Sequence, residues 1–177
     1  MKKALLDASS AILLLKADLL AKLIDFYHVS LTQSVLHELT RENYYGADIF
    51  YHYAAVQKIK VLDEQNVPFP PKRTCQALRS LDQGELDTIK CFIASDQDFI
   101  IIDDGRAARY CSKNNIAFIN ALLFPRLLYY CNGISVDECN DAMDTLIWIG
   151  RYSAEVIEWA EKCKKESLLF AIPDTDE

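Results

Sequence analysis

Glycine and proline are scarce in this chain, five of each in 177 residues, while 51% of residues are hydrophobic. That balance excludes a collagen-like or low-complexity protein and describes a folded body with a sizeable core. No internal repeat is visible. Long hydrophobic runs are missing too: the most apolar stretch, Ala11 to Leu15, is far below the roughly 18 residues that span a bilayer. No leader pattern precedes a cleavage site, so the expectation is a cytoplasmic protein with no membrane partner. Closely spaced cysteines are absent. Cys75, Cys91, Cys111, Cys131, Cys139 and Cys163 include no CxxC pair, which disfavours a zinc site and points to buried, reduced thiols. The three histidines, His28, His37 and His52, form no ligand-spaced pair. Cations are few as well: 19 Lys and Arg against 26 Asp and Glu give a net charge of -7, which argues against a broad basic surface for nucleic acid.

What is present is best seen from Gly84 to Arg109, GELDTIKCFIASDQDFIIIDDGRAAR. Leu86, Ile89, Phe92 and Ile93 fall at helical spacing. Phe99 to Ile102 is an unbroken β-branched and aromatic run, which fits a strand buried on both faces. It ends in Asp103 and Asp104. Ala4 to Leu6 form a similar short strand ending in Asp7. Further strands are expected at 27–31, 60–62 and 116–119, and helices at 17–26, 33–42, 47–59, 105–114 and 121–130, with others opened by the capping boxes Asp82/Glu85 and Ser135/Glu138. Pro68, Pro70 and Pro71 mark a loop, and the tail after Pro173 is acidic.

Strand and helix alternate through most of the chain, so the sheet should be mainly parallel with helices on both sides. Residues 1–177 read as one domain, with C-terminal helices over about 135–166 packing on it. In such a sheet ligands bind outside the carboxyl ends of the strands. That edge gathers acids: Asp7, Asp103 and Asp104 end strands, and Glu38 and Asp87 sit on flanking helices. Each has a plain alternative. Asp7 and Asp104 suit helix N-caps, Glu38 suits a solvated helix face, and Glu85 suits the capping box; Asp87 suits the helix dipole. Together they suggest a different role, because crowded carboxylates repel unless a proton or a cation joins them. An all-oxygen set suits Mg²⁺ or Mn²⁺ rather than Zn²⁺. Such ions can activate water and neutralise a phosphodiester, so the acidic net charge does not exclude a nuclease.

The segments LLDASSAI, SVLHELT, GELDTIKC and FIIIDDGRAAR, in that order, resemble the PIN domains, and within them the prokaryotic VapC-like and DUF3368-like proteins. The similarity continues more weakly through ISVDEC and GRYSAEVIEWA. It implies a three-layer α/β/α fold with a parallel sheet of about five strands, and a Mg²⁺- or Mn²⁺-dependent ribonuclease, often the toxin of a toxin–antitoxin pair. Carried over by position, the catalytic acids are Asp7, Glu38, Asp87 and Asp104, with metal contacts from Asp7, Asp87 and the Asp103/Asp104 pair. Of that pair, Asp104 is the favoured member. Ser9 accompanies Asp7. Many relatives carry GExE where this chain has Gly84, Glu85, Leu86 and Asp87, so Glu85 assists.

Two other readings compete with the ribonuclease. One is a catalytically idle PIN-like module used for binding or assembly; the other is a phosphohydrolase with Asp7 as nucleophile, disfavoured because Ser9 stands where a DxD motif needs an acid. The partners expected are RNA, a small antitoxin protein and a second copy of the chain, with Phe50, Tyr51 or Tyr53 as interface anchors. Arg106, just after the strand-end acids, is the candidate for holding a substrate phosphate. Arg109, one turn on, should matter less.

Overall fold

β1 (Lys3–Leu6) is the first strand made and the middle of the sheet. The structure, a computed structural model, describes residues 1–64, 67 and 81–173. β1 pairs in parallel with β2 (His28–Thr32) on one side and with β4 (Phe99–Ile101) on the other. β3 (Ile59–Leu62) extends the sheet beyond β2, and β5 (Phe118–Ile119) extends it beyond β4. The order is β3-β2-β1-β4-β5, all parallel. The direction of winding therefore reverses between β1 and β4, which opens a crevice at their carboxyl ends.

The apolar run of β4 is fully buried for the reason its composition suggests. Phe99 and Ile101 join the larger core with α1 (Ala8–Lys16), α2 (Leu20–Phe26) and the C-terminal helices. Ile100 and Ile102 face the smaller core with Ile89 of α5 (Gln83–Ala94) and with Ala107, Tyr110 and Cys111 of α6 (Gly105–Lys113). Alternate residues thus serve opposite helical layers, the three-layer α/β/α arrangement. Each such isoleucine contributes about 1.5–3 kcal/mol by burial.

Several boundaries differ from those the sequence suggests. The helix expected at 17–26 begins at Leu20, because Asp18 takes φ 56° and separates α1 from α2. α3 (Gln33–Leu39) is capped by Thr32, whose Oγ1 accepts from Val35 N–H at 3.2 Å. α4 (Ala47–Ala55) stops short of 59, where Gln57 at φ 57° turns the chain into β3. The helix expected at 121–130 is split into a 3-10 turn, Ala121–Leu123, and α7 (Phe124–Tyr130) with Pro125 in its first turn. Both capping boxes form, opening α5 and α8 (Val136–Gly150). α9 (Ala154–Lys162) and a 3-10 turn, Lys165–Leu168, follow. Ile93, placed on the helical stripe by spacing, is about half exposed.

Phe50 is a correction: it is fully buried in the core and offers nothing to a partner. Tyr53 packs against that core while Tyr51 remains exposed. Cys91, Cys111, Cys139 and Cys163 are buried, Cys131 is half-buried, and all five are free thiols. Cys75, the prolines at 68, 70 and 71 and the tail after 173 lie outside the described residues. Among the described residues no helix is long and apolar enough to cross a membrane.

Candidate active site

Asp7 N–H donates to the Ile101 carbonyl at 3.1 Å, carrying the β1–β4 ladder one residue beyond β1 and fixing Asp7 in the crevice. Its extended backbone makes it the N-cap of α1. Oδ1 accepts from Ser10 N–H at 2.8 Å and Oδ2 from Ser9 Oγ at 2.7 Å. The side chain is nonetheless only 3% exposed. Burial, and then the neighbouring charge of Asp103, push its carboxyl up to about 7 against the pull of the two serines.

Asp103 lies across the crevice from Asp7. Its Oδ2 accepts from Ser10 Oγ at 2.6 Å and from Ala121 N–H at 3.0 Å, and its Oδ1 accepts from the Tyr152 hydroxyl. Burial raises this carboxyl despite those three donors. Ser10, itself fully buried, ties the two acids together by giving its N–H to one and its hydroxyl to the other.

Asp104 behaves differently, and its N-cap alternative describes it well. Its Oδ1 accepts from Arg106 N–H at 2.7 Å and Ala107 N–H at 3.0 Å, with Arg106 Nε 3.5 Å away. Burial pushes this carboxyl up, but the helix N–H donors and the guanidinium outweigh it and hold it below the usual range. The residue favoured from position thus sits as a charged cap, while its neighbour Asp103 meets Asp7.

Asp7, Ala8, Ser9, Glu38, Asp82, Gly84 and Glu85 line a cleft of about 60 Å³, room for about two waters. Gly84 lies beside Glu38, where an added Cβ would stand at ordinary contact distance, 3.4 Å, from Glu38 Oε2. Glu85 is buried, with Oε2 accepting from Asp82 N–H at 3.1 Å in the capping box. Burial pushes its carboxyl up to about 7; the Asp82 N–H opposes this, the charges of Asp82 and Asp104 add to it, and Arg106, 4.0 Å away, opposes it.

Asp87 does not line this cleft. It accepts from Gln83 Nε2 at 2.7 Å and pairs with Lys90 Nζ at 3.1 Å, both carboxylate and ammonium being nearly buried. Residues 85 and 87 are two helix steps apart, about 200°, so they serve opposite sides of α5. Of the GExE-like motif, the structure brings Glu85 to the crevice and gives Asp87 an ion pair elsewhere. Sequence reasoning missed Ser10 and Tyr152 entirely. A larger groove of about 1050 Å³ lies at the amino ends of the strands, lined by residues such as Lys3, His28 and Lys60, remote from the strand-end acids.

The donor chemistry fits a hard divalent cation. Asp7, Glu38, Glu85 and Asp103 supply oxygen alone, the ligand type such an ion prefers. Among the described residues no three acids converge on a common metal-binding point.

A family model, DUF3368, described as a PIN domain, matches residues 3–159. No curated protein and no solved structure matches the chain.

Proposed function

The chain belongs to the PIN-domain family, whose members are generally nucleases, and on that premise we propose that it is a Mg²⁺- or Mn²⁺-dependent endoribonuclease. The observation that supports this most is the pairing of Asp7 with Asp103 at the reversal point of the sheet, one carboxyl buried and the other half-buried, both raised above their ordinary range. Raised and clustered acids in a cleft are a signature of a working site. RNA as substrate, and a toxin role with a small protein antitoxin, follow from the family resemblance.

In this reading Asp7, Glu38, Glu85 and Asp103 hold the cation. When bound, Mg²⁺ or Mn²⁺ supplies positive charge to the phosphoryl oxygens and acidifies water. Ser9 and Ser10 fix the orientation of Asp7, and Ser10 also fixes Asp103. Arg106, about half exposed and within 4.0 Å of Glu85 and 3.5 Å of Asp104, meets a phosphate at the rim.

The deciding experiment incubates single-stranded RNA with the protein and Mn²⁺, with and without EDTA, and reads product lengths. Internal cleavage that disappears with EDTA and in Asp7→Asn is expected. Intact RNA, or cleavage indifferent to chelation, would falsify the reading; RNA bound but uncut would point to the idle module.

A further inference from the structure

Asp103 is held by three donors from three distant parts of the chain. Ser10 Oγ comes from α1, Ala121 N–H from the turn after β5, and the Tyr152 hydroxyl from the corner between α8 and α9, 49 residues beyond Asp103. A carboxylate oxygen has two lone-pair sites. Both on Oδ2 are taken by Ser10 and Ala121, whereas Oδ1 keeps one after Tyr152 has bonded. What remains for a ligand therefore depends on where the Tyr152 hydroxyl fixes Oδ1.

The corner is shaped to deliver that hydroxyl. Arg151 ends α8 in a left-handed conformation, φ 53° and ψ 39°. Gly150 gives the ring its place: a Cβ there would stand 2.3 Å from Tyr152 Cε2, closer than real atoms approach. Ser153 then caps α9, its Oγ accepting from Val156 N–H. A glycine, a left-handed residue and a new N-cap in succession bend the chain around one tyrosine.

We propose that Tyr152 is a positioning residue for the cation site: it holds Asp103 in a fixed orientation beside Asp7, so that the α8–α9 corner is part of the active centre. This rests on the reading that Asp7 and Asp103 hold a divalent ion. A partner in contact with a metal-holding carboxylate typically changes affinity or activity by about 10- to 100-fold when removed. The competing explanation is that Tyr152 merely tethers the C-terminal helices. Tyr130 provides the control, since its hydroxyl also tethers that region, donating to the Cys163 carbonyl at 2.9 Å, but touches no acid of the site.

The test titrates Mn²⁺ into the whole chain, as wild type, Tyr152→Phe and Tyr130→Phe, beside thermal melting and RNA cleavage. Tyr152→Phe should weaken Mn²⁺ binding about 10- to 100-fold, while Tyr130→Phe binds as wild type does. Gly150→Ala, which keeps the hydroxyl but displaces the ring, should weaken Mn²⁺ binding as well and serves if Tyr152→Phe does not fold. Equal Mn²⁺ affinity in wild type and Tyr152→Phe, or equal losses in both tyrosine variants, overturns the assignment. Wild type that binds Mn²⁺ without cutting RNA rejects the nuclease reading alone, with the titration still deciding Tyr152. Wild type that takes up no Mn²⁺ rejects both.

Discussion

Replacing Asp7 by Asn should make the metal-free protein more stable at neutral and alkaline pH, because Asp7 serves the cleft at the expense of the fold. The folded carboxyl keeps its proton to about pH 7, whereas the unfolded one releases it near 3.8. Between these values the native state binds more protons than the unfolded state, so stability falls as pH rises and the loss is complete above pH 7. At about 1.4 kcal/mol per pH unit, three units amount to a loss on the order of 4 kcal/mol. Asn carries no charge to desolvate and keeps one acceptor for the Ser10 N–H, but it cannot reproduce the carboxylate's bond from Ser9, a loss of about 1 kcal/mol. The net gain expected at pH 8 is therefore about 1–3 kcal/mol. Urea melts of both proteins in EDTA, from pH 4 to 8, measure it. The gap should open as pH rises and close near pH 4. A variant that is less stable than wild type at pH 8, or a gap that ignores pH, refutes the reasoning. Added Mn²⁺ should shrink or reverse the gap, since a ligand of the native state stabilises it by mass action.

Asp87→Asn should lower stability by about 3 kcal/mol, the usual cost of breaking a buried ion pair, and leave Mn²⁺ affinity unchanged; denaturant melts and a Mn²⁺ titration read the two effects separately. Arg106→Ala should raise the KM for RNA and reduce the salt slope of binding by about one unit while the melting temperature stays put; equal salt slopes would return this arginine to an exposed ion pair worth less than about 1 kcal/mol.

The strands and their terminal acids were legible in the sequence because buried parallel strands read as apolar runs and a polar residue must follow them. Asp7 after Leu6 and Asp103 after Ile102 needed no tertiary information. The Asp82/Glu85 box was legible too, since its two bonds span three residues. Its plain structural role hid a second one: the capping geometry that satisfies α5 also places Glu85 at the cleft. Asp87 gained apparent importance from the motif, although Lys90, three residues on, marked it for an ion pair along the helix. Contacts across long sequence separations left no local trace. Ser10 to Asp103 spans 93 residues, and nothing in the stretch GRYSAEV announces that its tyrosine faces an acid.

The pairing of β1 with β4 also sets a clock. Asp7 and Asp103 are 96 residues apart by number, so at about 5–20 residues per second of synthesis the second acid leaves the ribosome roughly 5–20 s after the first. β1 is the middle strand, yet until β4 emerges it has no neighbour on that side. During that interval the Asp103 charge, which adds to the effect of burial on Asp7, is absent. The acid pair exists only once β4 has docked, so closing the sheet and assembling the pair are a single folding event.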